Sequence, residues 1–189
     1  MDFLRNLKTR SKLFLSFTVL IVFVLGLGLL SINRIGEMRT MIQTLYADRF
    51  VPAVDLGKIN NNLAFIRIGA LQVMNETDKA KKQEIWNKAL EAEQETTRLI
   101  DKYGATYMVD EEKKVFDDMK SSWLSYNEAR LVTYKLALDG DNAKAKENAL
   151  TNAGPKFKRL DENIVRLIEI QDEVGLALSK EADDDYAFT

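Results

Sequence analysis

Residues 13–32 read LFLSFTVLIVFVLGLGLLSI, twenty residues without one charge. As a helix rising about 1.5 Å per residue, this run is roughly 30 Å long, the thickness of a bilayer's hydrocarbon core. Arg5, Lys8, Arg10 and Lys12 precede it, with Asp2 as the only acid. Cytoplasmic flanks collect Lys and Arg, so the pattern predicts an N-terminus inside the cell and everything after Asn33 outside. A cleaved signal peptide is the rival reading. Its apolar core is about 7–15 residues and ends at a small-x-small site. This core is longer, and Ser31-Ile-Asn33-Arg-Ile offers no such site. The expectation is therefore an uncleaved anchor with the bilayer as its first partner. The asymmetry of charge also argues against a core helix of a soluble protein.

Beyond the anchor the chain is rich in both apolar and charged residues and poor in breakers. The full sequence is 46% hydrophobic and 30% charged, with two prolines in 189 residues. Such a composition favours helices over disorder. Cysteine and histidine are absent. That excludes thiolate zinc sites, disulfides and Cys or His nucleophiles. The formal charge of −2 gives no argument for nucleic acid as a partner. No Gly-rich phosphate loop, nucleophile elbow or well-spaced carboxylate pair is found, so the chain is expected not to be an enzyme, and no cofactor is implied. The acid cluster Asp183-Asp-Asp185 reads as a solvated tail in preference to a metal site, because it lacks the loop geometry hard cations need.

Apolar residues after the anchor step by three and four, the spacing of helices that pack along a seam. The first seam runs through Ile35, Met38, Ile42, Leu45, Arg49, Pro52, Leu56, Ile59, Leu63, Ile66, Ala70 and Val73. Only Arg49 is out of character. Its plain reading is a side chain near the height of Pro52, where a proline bend opens the seam to water. Asn75-Glu-Thr-Asp78 predicts the end of this helix and the cap of the next. The second seam is Ile85, Ala89, Ala92, Thr96, Leu99 and Tyr103, with Gly104 as a stop. The third opens on Asp110-Glu-Glu, acids that suit a helix N-terminus, and continues through Phe116, Met119, Trp123, Tyr126, Arg130, Thr133 and Ala137. Asp139-Gly140 closes it. Asp141 caps a short helix to Asn152, and Gly154-Pro155 restarts the chain for a last seam of Phe157, Leu160, Ile164, Leu167, Gln171, Val174 and Leu178.

The expected fold is therefore all-α: an antiparallel up-down-up-down four-helix bundle whose first helix is continuous with the N-terminal transmembrane helix. Its parts are a basic flank at 1–12, the membrane helix at 13–32 and a bundle at 33–189. The bundle helices are expected at about 33–75, 78–103, 110–139 and 141–182, with a break near 153–155.

Several of these features together resemble the sensor region of bacterial methyl-accepting chemotaxis receptors. They are the start LKTRSKLFLSF, the stretches Leu45-Tyr-Ala-Asp-Arg-Phe-Val-Pro-Ala-Val-Asp-Leu56 and Asn60-Asn-Asn-Leu-Ala-Phe-Ile-Arg67, the Gly140-Asp141 break and Gly154-Pro155 before a long last helix. The resemblance covers essentially the whole chain, and it lies in order and spacing, since no single motif is diagnostic. It implies a bacterial inner-membrane protein with its bundle in the periplasm, a homodimer, and transmission by displacement of the last helix. It also implies a second membrane helix and a cytoplasmic output module beyond Thr189. Related bundles precede histidine kinases and cyclases, so those outputs stay open, as does a membrane-tethered scaffold for a protein partner.

The resemblance implies a small ligand held between helices, an organic acid, amino acid or aromatic, or else a periplasmic binding protein. Amino-acid-sensing members hold a carboxylate with arginines of the first helix, and Arg67 sits at a matching place. Gln72 and Glu76 stand where further arginines would be, which argues against aspartate-like or serine-like sensing. The residues themselves single out Arg130 on the third seam, with Trp123, Tyr126 and Tyr134 as an apolar wall with polar tips. Arg67 and Arg130 would clamp an organic anion, since a guanidinium matches a carboxylate bidentately. Each arginine also has a structural reading, reaching water or pairing with an acid such as Glu76 or Glu128. The aromatics equally serve as core. Within the polar run Asn60-Asn-Asn62, Asn61 is the candidate ligand contact, and one of the three is expected to face a partner helix and set register.

Overall fold

The computed structural model describes residues 8–187, with side chains described to Asp184. Arg5 of the basic flank and Asp185 of the acid cluster lie outside what is described at side-chain level. The described residues are helical nearly throughout, without strands.

The chain divides into two compact units, Met1–Thr44 and Leu45–Thr189. The first holds most of helix α1, Thr9–Leu45. Its most apolar stretch has a mean hydropathy of 2.8 and buries nothing, so one helix near the N-terminus is long and apolar enough to cross a membrane. Lys8, Arg10 and Lys12 are exposed at its start. Ile35, Met38 and Ile42, the opening positions of the first seam, are exposed as well.

The second unit is the four-helix bundle. Its helices are α2 (Val51–Asn75), α3 (Lys79–Gly104), α4 (Asp110–Leu138) and a long last arm built from α5 (Asn142–Asn148) and α6 (Gly154–Ala187). α2 packs on α3 and α6, and α4 on α3 and α6, so sequential helices run antiparallel around a ring. The core lies where the 3-4 spacing puts it: Leu56, Ile59, Leu63 and Ile66 meet Leu99, Tyr103, Phe116, Met119, Trp123, Leu160, Ile164 and Leu167. A second cluster around Val73, Ala89, Tyr134 and Ala137 fills the other end.

Short turns join the helices because each end is capped. Glu76 accepts from the Thr77 and Asp78 amides, and Asp78 caps α3 through the Ala80 amide at 2.8 Å. Gly140, at φ +85°, turns the chain after α4, a left-handed conformation that only glycine takes without cost. Gly104 serves differently from the expected stop signal. Its φ is not positive; a Cβ there would stand 2.8 Å from the Phe116 ring, so it is small to admit that ring.

Both prolines act in a way that the spacing did not predict. Each follows a π-helical turn, Tyr46–Phe50 before Pro52 and Ala149–Ala153 before Pro155. In each case the residue before the proline donates five positions back, Val51 to Tyr46 O and Gly154 to Ala149 O. A proline ring collides with the carbonyl four residues earlier and offers it no donor. Widening the preceding turn by one residue relieves that collision without ending the helix. The expected break near 153–155 is therefore a wide turn inside a helical arm that runs from Asn142 to Ala187, and no helix ends at Asn152.

Candidate functional site

Two polar clusters interrupt the apolar core of the bundle. The first is centred on Arg130 in α4, which is 1% exposed. Its Nε donates to Asn127 Oδ1 at 2.6 Å, and its Nη2 pairs with the Glu93 carboxylate of α3. Asn127 Nδ2 donates to the other Glu93 oxygen at 2.5 Å, closing a ring of three side chains. Arg130 Nη1 is buried with no partner among the described residues. Beside this ring stand Tyr126, buried, and Phe157 of α6, their rings edge to face at 5.3 Å. Burial pushes the Tyr126 phenol up to about 12, with Arg130 and Arg67 opposing the shift. Arg67 of α2 is exposed and lies over the Phe157 ring, its Cζ 4.2 Å from the centroid. No described carboxylate pairs with it.

The second cluster is centred on Glu112, which is fully buried in the first turn of α4. Arg49 Nη1, from the first π turn, donates to Glu112 Oε2 at 2.9 Å. Tyr103 OH of α3 donates to Oε1 at 2.6 Å, and Gln171 Nε2 of α6 reaches the same oxygen at 2.5 Å. The Val109 amide adds a capping bond to Oε2 at 3.3 Å. Burial, followed by the bond to Glu112, raises the Tyr103 phenol far above its ordinary range, so it stays a donor. One carboxylate thus ties together all four arms of the bundle. Nearby, Lys102 of α3 pairs with the buried Asp55 of α2 at 2.5 Å.

Among the described residues no group of three or more acids could hold a metal ion. What the clusters provide is a set of polar ties between helices, and one exposed cation on an aromatic ring. These are the parts of a packing device. A family model described as a four-helix-bundle sensory module for signal transduction matches residues 6–186. The chain belongs to this family of sensory modules. No curated protein matches it at a significant level.

Within the sensory module, the residues singled out from sequence fall in three places. Arg67 and Arg130 each lie close enough to Tyr126 to act on its phenol, Arg67 over Phe157 on the α6 side and Arg130 turned to Glu93 of α3. Trp123 is in the larger core cluster and Tyr134 in the smaller, edge-on to Trp86 at 4.8 Å and donating to Ile66 O at 3.3 Å. Asn61 is apart from them, exposed in a shallow groove between α2 and α3 with Asn62, Phe65 and Ile68. None of Asn60, Asn61 and Asn62 is fully buried.

Two pairings differ from expectation. Arg130 pairs with Glu93, not with Glu76 or Glu128; Glu76 is spent on the turn before α3. Arg49 does not open the seam to water. It is 5% exposed and bound to Glu112, because the wide turn before Pro52 keeps the chain helical instead of bending it open. Sequence reasoning missed Glu112 and Glu93. The signal for Glu112 was present: Arg49, Tyr103 and Gln171 are polar positions on three different seams, and one acid satisfies them all.

Proposed function

We propose that this chain is the sensing portion of a bacterial chemoreceptor-type protein. In this reading residues 13–32 anchor it in the inner membrane, the basic flank stays in the cytoplasm, and residues after about 33 are periplasmic. It binds and reports without catalysing a reaction. The membership in a signal-transducing family supports the sensing role, and the apolar helix near the N-terminus supports the anchor. The flank of Lys8, Arg10 and Lys12 supports the orientation.

The ligand class rests on one observation. Arg67 presents a guanidinium with no carboxylate partner, laid on Phe157 beside Tyr126, while the neighbouring Arg130 keeps a buried Nη1 unused. This favours a small organic anion with an apolar or aromatic body. Its carboxylate would meet the guanidinium and its body the ring. Binding across α2, α4 and α6 would favour one packing of the bundle over another, and the last helix would shift by an ångström or two. A homodimer fits the outward face of the first arm, where Phe50 of the π turn and Val54, Phe65, Ile68 and Leu71 of α2 are exposed.

The test is a thermal-shift screen of the full chain in lipid nanodiscs against organic acids, amino acids and aromatic acids. A ligand at a hundred times its Kd adds about 2.7 kcal/mol, which raises Tm by roughly 5–10 °C for a chain of this size. The shift should vanish in Arg67→Ala. A panel that leaves Tm unchanged would sink direct sensing of such anions.

A further inference from the structure

Glu112 accepts four hydrogen bonds, from Arg49, Tyr103, Val109 and Gln171, and a carboxylate has about four acceptor sites. It is saturated; its partners are not. Arg49 Nε and Gln171 Oε1 are both buried without a partner. One is a donor and the other an acceptor, and both belong to side chains already held by the same carboxylate. The amide orientation of Gln171 is set by chemistry, because ionised Glu112 can only accept and so draws the amide nitrogen. A buried group left unpaired is costly, so an arrangement that joins these two atoms recovers what the observed one forgoes.

We propose that Glu112 is a latch between the first and last arms of the bundle, with two arrangements. In the observed one Gln171 Nε2 donates to Glu112 at 2.5 Å and to Tyr103 OH at 2.7 Å. In the second, reached by a small shift of α6, Gln171 Oε1 accepts from Arg49 Nε while Arg49 keeps its bond to Glu112. This rests on the reading that the module signals by displacing its last helix.

Two features make α6 the moving part. Gln171 is the one buried polar side chain of α6 among the described residues. The rest of its seam, Leu160, Ile164, Leu167 and Ile170, is apolar and non-directional, and the other polar ties of α6 to α4 are the part-buried bond from Asn163 Nδ2 to Ser122 Oγ at 3.1 Å and the surface pair of Arg166 with Glu111. Arg49, by contrast, sits in the wide turn that Pro52 enforces, and Glu112 is fixed by its own capping bond to Val109. The first arm therefore presents a fixed cation and the last arm a side chain with two ways to use it. An equilibrium of this kind needs two discrete packings, and the latch supplies a discrete difference between them.

The absence of native cysteine allows the full chain to be labelled cleanly. In lipid nanodiscs without ligand, spin-label distances are measured between Lys58→Cys and Leu176→Cys, exposed sites on α2 and α6 flanking the latch. A control pair on α2 and α4, Gln72→Cys and Asp118→Cys, both exposed, leaves out the moving helix. Gln171→Leu removes the α6 arm of the latch and leaves the Arg49–Glu112 pair intact. The latch predicts a shift of about 1–2 Å, or a second population, for the first pair and none for the control. Glu112→Gln should move the same pair in the same way; if it does not fold, Gln171→Leu decides alone. No change at the first pair overturns the latch. Equal broadening of both pairs also overturns it, since the residues would then only hold the bundle together. Neither result depends on a ligand, so failure here is distinct from failure of the anion screen.

Discussion

Glu111 and Glu112 are neighbours in the first turn of α4, each bound to an arginine, and their removal should differ severalfold in cost. Glu112→Ala strands the Arg49 guanidinium, whose side chain is only 6% exposed, and takes the acceptor from Tyr103 and one of two from Gln171. Breaking a buried pair by removing one partner costs about 3–5 kcal/mol, because the remaining charge stays desolvated and unpaired. At about 2–4 °C per kcal/mol for a chain of this size, Tm should fall by roughly 6–20 °C. Glu111 instead meets Arg166 at 2.7 Å on the surface, where Glu169 and Glu173 share the same guanidinium. Glu111→Ala leaves Arg166 two partners and open water, so its cost should be below about 1 kcal/mol. Thermal melts of both variants, followed by the fluorescence of Trp123 and Trp86, test the contrast. The double change Arg49→Met with Glu112→Leu sharpens it. Removing both charges lets Gln171 and Tyr103 keep their mutual bond at 2.7 Å, and stability should return to within about 2 kcal/mol of the parent. Equal losses for Glu111→Ala and Glu112→Ala, or no recovery in the double variant, would refute the claim that burial sets the difference.

The remaining predictions concern packing and pH. Gly69→Ala should destabilise although Ala is the better helix former by about 1 kcal/mol, because its Cβ would stand 2.6 Å from Tyr134 OH; Tyr134→Phe should restore most of the loss in a denaturation cycle. On the alkaline side, burial raises the phenols of Tyr103, Tyr126 and Tyr134. Folded values above unfolded ones mean stability that is complete below about pH 10 and lost as pH rises towards the folded values, Tyr126 at about 12, so tyrosinate absorbance should appear together with loss of helix. On the acid side, the bond to Lys88 holds Glu84 below its ordinary 4.5, the bond to Arg98 does so for Glu95, and the Asp78 and Thr77 amides do so for Glu76. Depressed carboxylates stabilise above their unfolded values, so Tm should be flat above about pH 5 and decline as pH falls below about 4.5.

How far the sequence speaks can be traced residue by residue. The seam positions Leu56, Ile59, Leu63, Ile66, Phe116, Met119, Leu160, Ile164 and Leu167 are the core, because a 3-4 repeat of apolar residues has one low-energy use in a helical chain. The caps at Asp78 and Gly140 were legible for the same reason: side-chain chemistry and positive φ are local properties. The π turns were not, since the added residue before each proline leaves the flanking seams in step and changes only which carbonyl is used. The polar clusters were half legible. Arg49, Tyr103, Arg130 and Gln171 announced themselves as polar residues on apolar seams, but their partners did not. Glu112 looked like any acid that complements a helix N-terminus, and Glu93 like one more solvated charge on α3. A partner's identity depends on which helices are adjacent and at what height, and that is settled by the packing of the whole bundle. The physical demand was nevertheless present in the chain. A buried guanidinium requires an acid, and two of the seams contain one. Asking which acids could meet that demand at the heights of Arg49 and Arg130 narrows the search to the first turn of α4 and the middle of α3, where Glu112 and Glu93 stand.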